Sequence, residues 1–126
     1  MIEGDFEAFF LCHCERCRKD TGSAHAANLF SPMAKLTWLA GADQWRTYTL
    51  PKTLHQKSFC CKCGSALPSV QDGGKMIVVP AGSLDTDVPL RPHAHICLDD
   101  RANWDQELEC IARLNDLPSS QTGKDK

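Results

Sequence analysis

Three cysteines crowd into Cys12-His13-Cys14-Glu15-Arg16-Cys17. A buried structural cysteine behaves as a small hydrophobe and keeps apolar company. These cysteines sit among His, Glu and Arg, with Arg18 and Lys19 following. Packing is a poor reason for that pattern, and metal chemistry is a good one. A C-x-x-C turn lets two thiolates converge on one ion, and Cys12 adds a third. Zinc favours sulfur ligands in a tetrahedron, and three protein ligands leave one position open. The chain is therefore expected to fold around this loop. Its function depends on whether the site is open and reactive or closed by a fourth ligand.

A second knot, Cys60-Cys61-Lys62-Cys63-Gly64, follows Phe59. Six of the eight cysteines lie in the two knots, and only Cys97 and Cys110 stand apart. The first residues, Met1-Ile2-Glu3-Gly4-Asp5, lack the basic-then-apolar plan of a signal peptide. We therefore expect a cytoplasmic location, where clustered thiols mean metal or thiol chemistry more often than disulfides. Lys and Arg number 14 against 16 Asp and Glu, a net charge of −2. That balance argues against nucleic acid and against an anionic membrane surface as partners. No apolar run approaches the length of a membrane span.

Short β-like segments bounded by turn residues dominate the chain, which predicts a mainly β fold. Strands are expected at 5–11, 24–31, 35–39, 44–50, 65–71, 75–80 and 94–98. A hairpin turn is expected at Asp72-Gly73-Gly74. The segment 15–20 reads as a short helical turn ended by Thr21-Gly22-Ser23. Apolar residues near helical spacing at 104–114 predict a short C-terminal helix. Trp38, Trp45 and Trp104 are expected to pack the core, and Cys97 and Cys110 to be buried and inert. His55 is expected to be solvated. One domain over 1–117 and a disordered polar tail over 118–126 complete the organisation.

Spacing alone allows Cys14-x-x-Cys17 and Cys60-x-x-Cys63 to form a closed four-cysteine zinc ribbon. Such a module would bind a partner without catalysis. The wider motifs point elsewhere. Cys12-His13-Cys14-x-x-Cys17-Arg18-Lys19-x-Thr21-Gly22 resembles the central motif of the glutathione-dependent formaldehyde-activating enzyme family, which includes centromere protein V. The resemblance continues through Phe59-Cys60-x-x-Cys63-Gly64 and Ala81-Gly82-Ser83-Leu84-Asp85. It extends to Pro92-x-x-His95-Ile96 and Arg101-x-x-Trp104.

The resemblance implies coiled β-sheets of the β-tent type, and zinc as the cofactor. It implies a carbon–sulfur lyase similar to S-(hydroxymethyl)glutathione synthase, joining glutathione to formaldehyde. By match, Cys12, Cys14 and Cys17 hold the open zinc. Cys60 and Cys63 match half of a structural site whose other C-x-C pair has no counterpart before Cys12. That half-site is left empty, completed by Cys61 or another chain, or joined to the first knot as the ribbon. A homodimer stays open on the same ground.

A substrate such as glutathione brings a thiol and two carboxylates. Arg16, Arg18, Lys19 and Lys52 are candidate carboxylate partners. His13 lies between two ligands, and an extended backbone points its side chain away from theirs. An orienting or substrate-side role is expected for it. Thr21 and Gly22 either offer backbone donors beside the zinc or merely turn the chain. His95 matches a family position and His93 does not; lining a pocket and plain packing both remain open for His95. His25 is expected in the core or on the surface.

Overall fold

The structure, a computed structural model, describes residues 1–118. Ten strands and one helix follow in chain order: β1 Ile2–Glu3, β2 Ala8–Cys12, α1 Glu15–Thr21, β3 Ala26–Ser31, β4 Lys35–Leu36, β5 Trp45–Thr49, β6 Gln56–Cys60, β7 Ala66–Leu67, β8 Ser69–Gln71, β9 Met76–Pro80 and β10 Ala94–Ile96. The fold is mainly β. A five-stranded sheet runs β10-β2-β3-β9-β8, a three-stranded sheet runs β5-β6-β7, and β1 pairs with β4. Among the described residues, only β10 and β2 pair in parallel.

Side chains alternate across a strand, so each strand of the large sheet serves two faces. Phe9, Leu29, Ile77 and Val79 form the buried core on one face. Leu11 and Ala27 pack against it, with Ile2 and Leu36 from the β1–β4 pair and Leu84, Val88 and Leu90 from the loop after β9. On the opposite face stand Phe10, Cys12, Ala26, Asn28 and Phe30, which line a cleft with Leu54, His55 and Gln56 at the start of β6.

The two sheets are tied by a chain of hydroxyls. Ser69 Oγ donates to the buried Ser58 Oγ at 2.8 Å, and Ser58 meets Thr47 Oγ1 at 2.8 Å. Pro68 lies where the chain passes from β7 to β8 and so from one sheet to the other. Proline cannot donate to a ladder, so the strand expected over 65–71 breaks there. The expected strand at 35–39 shrinks to Lys35–Leu36, and the hairpin turn at 72–74 connects β8 to β9 as predicted.

The C-terminal helix is not formed. The only α-helix among the described residues is α1, and 104–114 holds just a single 3-10 turn, Leu108–Cys110. Glu107 takes a left-handed φ of 49°, which interrupts any helix there. Leu108, Ile111 and Leu114 face solvent, so the apolar stripe has nothing to cover. A helix of that length is marginal without such burial. Trp104 is 56% exposed, and Trp38 and Trp45, half-buried, stack on each other with ring centroids 5.3 Å apart; none of the three belongs to the core cluster. Cys97 and Cys110 are exposed, because β10 ends at Ile96 and Cys97 turns the chain at φ 58°. Of the expected tail, residues 119–126 lie outside the described residues.

Leu29 has no exposed surface and sits at the centre of the core. Truncating such a leucine costs about 2–5 kcal/mol. Leu29→Ala is expected to lower the urea midpoint accordingly, and a loss under about 1 kcal/mol would contradict this core.

Candidate metal and thiol site

The cysteine loop is built by a strand end and a helix start. Cys12 closes β2 and faces the cleft with Phe10. Cys14 then caps α1: its Sγ accepts the Cys17 N–H at 3.3 Å. That cap turns the chain into the helix, and the first helical turn carries Cys17 back towards Cys14. Gly22 ends α1 with a left-handed φ of 67° and donates its N–H to Arg18 O, a conformation that glycine takes without a Cβ penalty. The three Sγ atoms lie within 4.8 Å of one another. Among the described residues, no other set of three or more His, Cys, Asp or Glu ligand atoms gathers so closely. The cluster could hold a metal ion.

The thiols polarise one another. Burial raises Cys17 furthest, well above the ordinary thiol range, and its contacts with Cys14 and Cys12 add to the rise. Burial also raises Cys12. At Cys14 burial pushes upward too, but hydrogen bonds outweigh it. They come from the Cys17 amide, the Cys17 and Cys12 thiols and the Arg16 amide, and they bring Cys14 below its usual value. Of the three, Cys14 is therefore the thiol that gives up its proton most readily. A cation would displace thiol protons, which couples metal binding to proton release.

His13 points away from the thiols, as an extended backbone requires. It is 2% exposed, on the core face. Its Nε2 is 2.9 Å from His95 Nδ1, and its Nδ1 is 2.8 Å from Asp105 Oδ2. The Asp105 approach is off the N–H axis, and neither atom has another hydrogen-bond partner, so this is a charge contact more than a directed bond. The His25 ring lies tilted against His13, with centroids 5.0 Å apart. Sequence reasoning missed Asp105, which comes from a segment read as helix. Placing an acid after the Arg101-x-x-Trp104 motif would have required knowing that the chain returns to the loop.

The other expected residues divide sharply. Arg18 donates its Nε to Asp100 O at 3.0 Å, bracing α1 against the segment after β10. Thr21 Oγ1 donates to Cys17 O and accepts from Ser23 N, so with Gly22 it turns the chain. His95 is exposed and bonded to His13, and His93 Nδ1 accepts from Phe9 N. Lys52 sits in the turn before His55 with a φ of 65°. Arg16 and Lys19 are exposed on α1 and line a hollow with Tyr48, Leu50 and Lys57.

Cys60 and Cys63 do not join the first knot. Cys60 ends β6, whose opposite end reaches the cleft at Gln56. The expected knuckle is present nonetheless: Gly64, at φ 77°, donates its N–H to Cys60 O at 2.7 Å. The Ser65 hydroxyl, 3.1 Å from Cys63 Sγ, lowers that exposed thiol's pKa, helped by the Ser65 amide and by Cys60.

His55 is not solvated as expected. It is 20% exposed, with Nε2 3.1 Å from Asp20 Oδ2. Lys57 Nζ holds the other carboxylate oxygen at 2.8 Å. Asp20 and His55 line both the cleft that holds Cys12 and Cys17 and the cationic hollow beside it. The sequence signal for this pair was weak, since Asp20 and His55 are far apart in the chain.

Burial, and then the nearby His13, lowers His25 from its ordinary value of 6.5. The folded chain therefore binds fewer protons at His25 than the unfolded chain does. This contribution is intact above 6.5 and is lost as pH falls from there through the lowered value of the folded chain. Stability is expected to decline on acidification from neutrality, and His25→Gln to flatten the slope. Urea midpoints across that range test this; equal slopes in both proteins would refute it.

Three comparisons bear on kinship. No curated protein matches the chain. A solved structure, the crystal structure of a Rhodobacter sphaeroides protein from a structural-genomics programme, is similar with a TM-score of 0.50 and 20% identity. The match covers 75% of this chain and 89% of that one, which speaks to fold alone. Residues 1–100 match the family model described as glutathione-dependent formaldehyde-activating enzyme. That span takes in the cysteine loop, α1, the knuckle and β10, and the chain belongs to the glutathione-dependent formaldehyde-activating enzyme family.

Proposed function

We propose that this chain is a zinc-dependent carbon–sulfur lyase of the S-(hydroxymethyl)glutathione synthase type, joining the glutathione thiol to formaldehyde. The observation that carries the reading is the meeting of three convergent thiols with a cleft that leads to a cationic rim. Cys12, Cys14 and Cys17 would hold the zinc. When bound, it supplies an open position at which a thiol loses its proton near neutral pH.

The remaining work falls to the chain itself. Phe10, Phe30 and Leu54 give the cleft apolar walls beside Cys12 and Cys17. Arg16 and Lys19 are the cations best placed to meet the carboxylates of a glutathione whose sulfur points at the cluster. Arg18 serves this reading by holding α1 in place, and Thr21 and Gly22 by ending it. His13 and His95 support the loop from behind the sheet. Cys60 and Cys63 suit two corners of a second, structural tetrahedron, and no third ligand gathers with them among the described residues.

Two measurements test the reading. Protein mixed with glutathione and formaldehyde should speed formation of the hydroxymethyl thioether, followed by NMR exchange; a rate equal to the uncatalysed one would sink it. Cys12→Ser should remove zinc from the first cluster and abolish the acceleration. A variant that keeps its full zinc content would overturn Cys12 as a ligand and with it the open three-thiol site.

A further inference from the structure

His55 and Asp20 form a polar pair in the wall of the thiol cleft that the reading above leaves without a task. The backbone of His55 is pinned on both sides. Its N–H donates to Thr53 Oγ1 at 3.1 Å, and its carbonyl accepts the Leu50 N–H at 2.9 Å. The ring is pinned as well, with Nε2 3.1 Å from Asp20 Oδ2. Asp20 lies in α1, one turn beyond Cys17, so the helix that delivers a cluster thiol also delivers this carboxylate. Lys57 fixes the carboxylate from the far side. Its Nζ is 2.8 Å from Oδ1 and donates to Asp20 O at 3.3 Å.

An ionised carboxylate only accepts hydrogen bonds. In the neutral ring the proton then sits on Nε2, and Nδ1 is left as a bare lone pair. Among the described residues, Nδ1 has no protein hydrogen-bond partner, although the ring is only 20% exposed. The charged or titratable groups around it are Asp20, Lys57, Glu15, Arg16, Lys19 and Tyr48 on the rim and the Cys12 and Cys17 thiols within the cleft. A neutral imidazole whose tautomer is fixed by an acid, in a cleft shared with reactive thiols, has the arrangement of a general acid–base group.

We propose that His55 is the proton-transfer residue of the cleft and that Asp20, held by Lys57, is the positioning residue that fixes its tautomer. The assignment rests on the thiol–aldehyde reading for its substrate. In that reaction the substrate sulfur forms a bond to the aldehyde carbon, and the carbon–oxygen π pair moves to oxygen. The thiol proton is taken up on His55 Nδ1 and returned to that oxygen, giving R–S–CH2–OH. Every atom of thiol and aldehyde is in the product, and nothing is oxidised or reduced. In the reverse direction Nδ1 takes the hydroxyl proton as the sulfur leaves.

The test uses the full, zinc-loaded chain. His55→Gln should lower kcat for adduct formation by about 100-fold, the scale of a lost acid–base group, with zinc content unchanged. His55→Ala should regain part of its rate when free imidazole is added, which a structural role would not produce. Nitrogen-15 NMR of the resting protein should find Nε2 protonated and Nδ1 bare at His55, and Asp20→Asn should mix the two tautomers. A wild-type rate in His55→Gln would overturn the proposal. So would a folded, zinc-loaded His55→Ala that imidazole does not rescue, or a proton found on Nδ1. A wild type no faster than solution would overturn the lyase reading and with it this proton transfer. The tautomer, measured without substrate, decides the Asp20–His55 arrangement separately.

Discussion

The alternation of side chains along β2 is the constraint from which the rest follows. Phe9, Leu11 and His13 turn to one face, Phe10 and Cys12 to the other. The first set closes the core with Leu29 and Val79, and the second opens the cleft. A slip of one residue against β3 would put the thiol of Cys12 into the core and Phe9 into the cleft. Two features guard the register. Leu29 is completely enclosed, and the parallel pairing with β10 aligns Ile96 with Cys12 while His13 N–H donates to Ile96 O at 2.9 Å.

Behind the thiols stands a polar cluster that the core face would otherwise exclude. His13 is almost fully buried, and a buried imidazole left unpaired would cost on the order of 1–3 kcal/mol. His95 and Asp105 answer its two nitrogens, one by a hydrogen bond and one by an off-axis charge contact. The loop between Cys12 and Cys14 is thereby gripped from the side opposite its sulfurs. Among the described residues the thiol side then offers no protein ligand beyond the three, as the proposed thiol site would need.

Much of this was legible in the sequence because it is local. The C-x-C-x-x-C spacing named the three thiols, and Gly64 after C-x-x-C marked a knuckle. Val78 and Val79, in a continuous apolar run, marked a central strand. What the sequence hid is non-local. Nothing near Asp105 says that it meets His13, and periodicity at 104–114 looked helical because Leu108 and Ile111 fall at matching intervals. Nothing there shows that no surface waits to cover them. His55 looked solvated for the same reason, since its partner Asp20 lies 35 residues earlier in the chain. Arg18 and Thr21 sit where a ligand would meet them in sequence, yet folding spends Arg18 on Asp100 O and Thr21 on Cys17 O.

The pairing of β10 with β2 also sets a timetable. The His13–His95 contact joins residues 82 apart, so the strand carrying Cys12 gains its outer neighbour only after a long further stretch of chain has been made. Local turns form quickly and distant pairings late. On a ribosome the cysteine loop and α1 would emerge early, with β3 as a local neighbour but without β10 on the other side. During that interval three thiols stand open to oxidants and to stray metal. An ion bound early could serve as a temporary scaffold, holding the loop together until β10 arrives to take over.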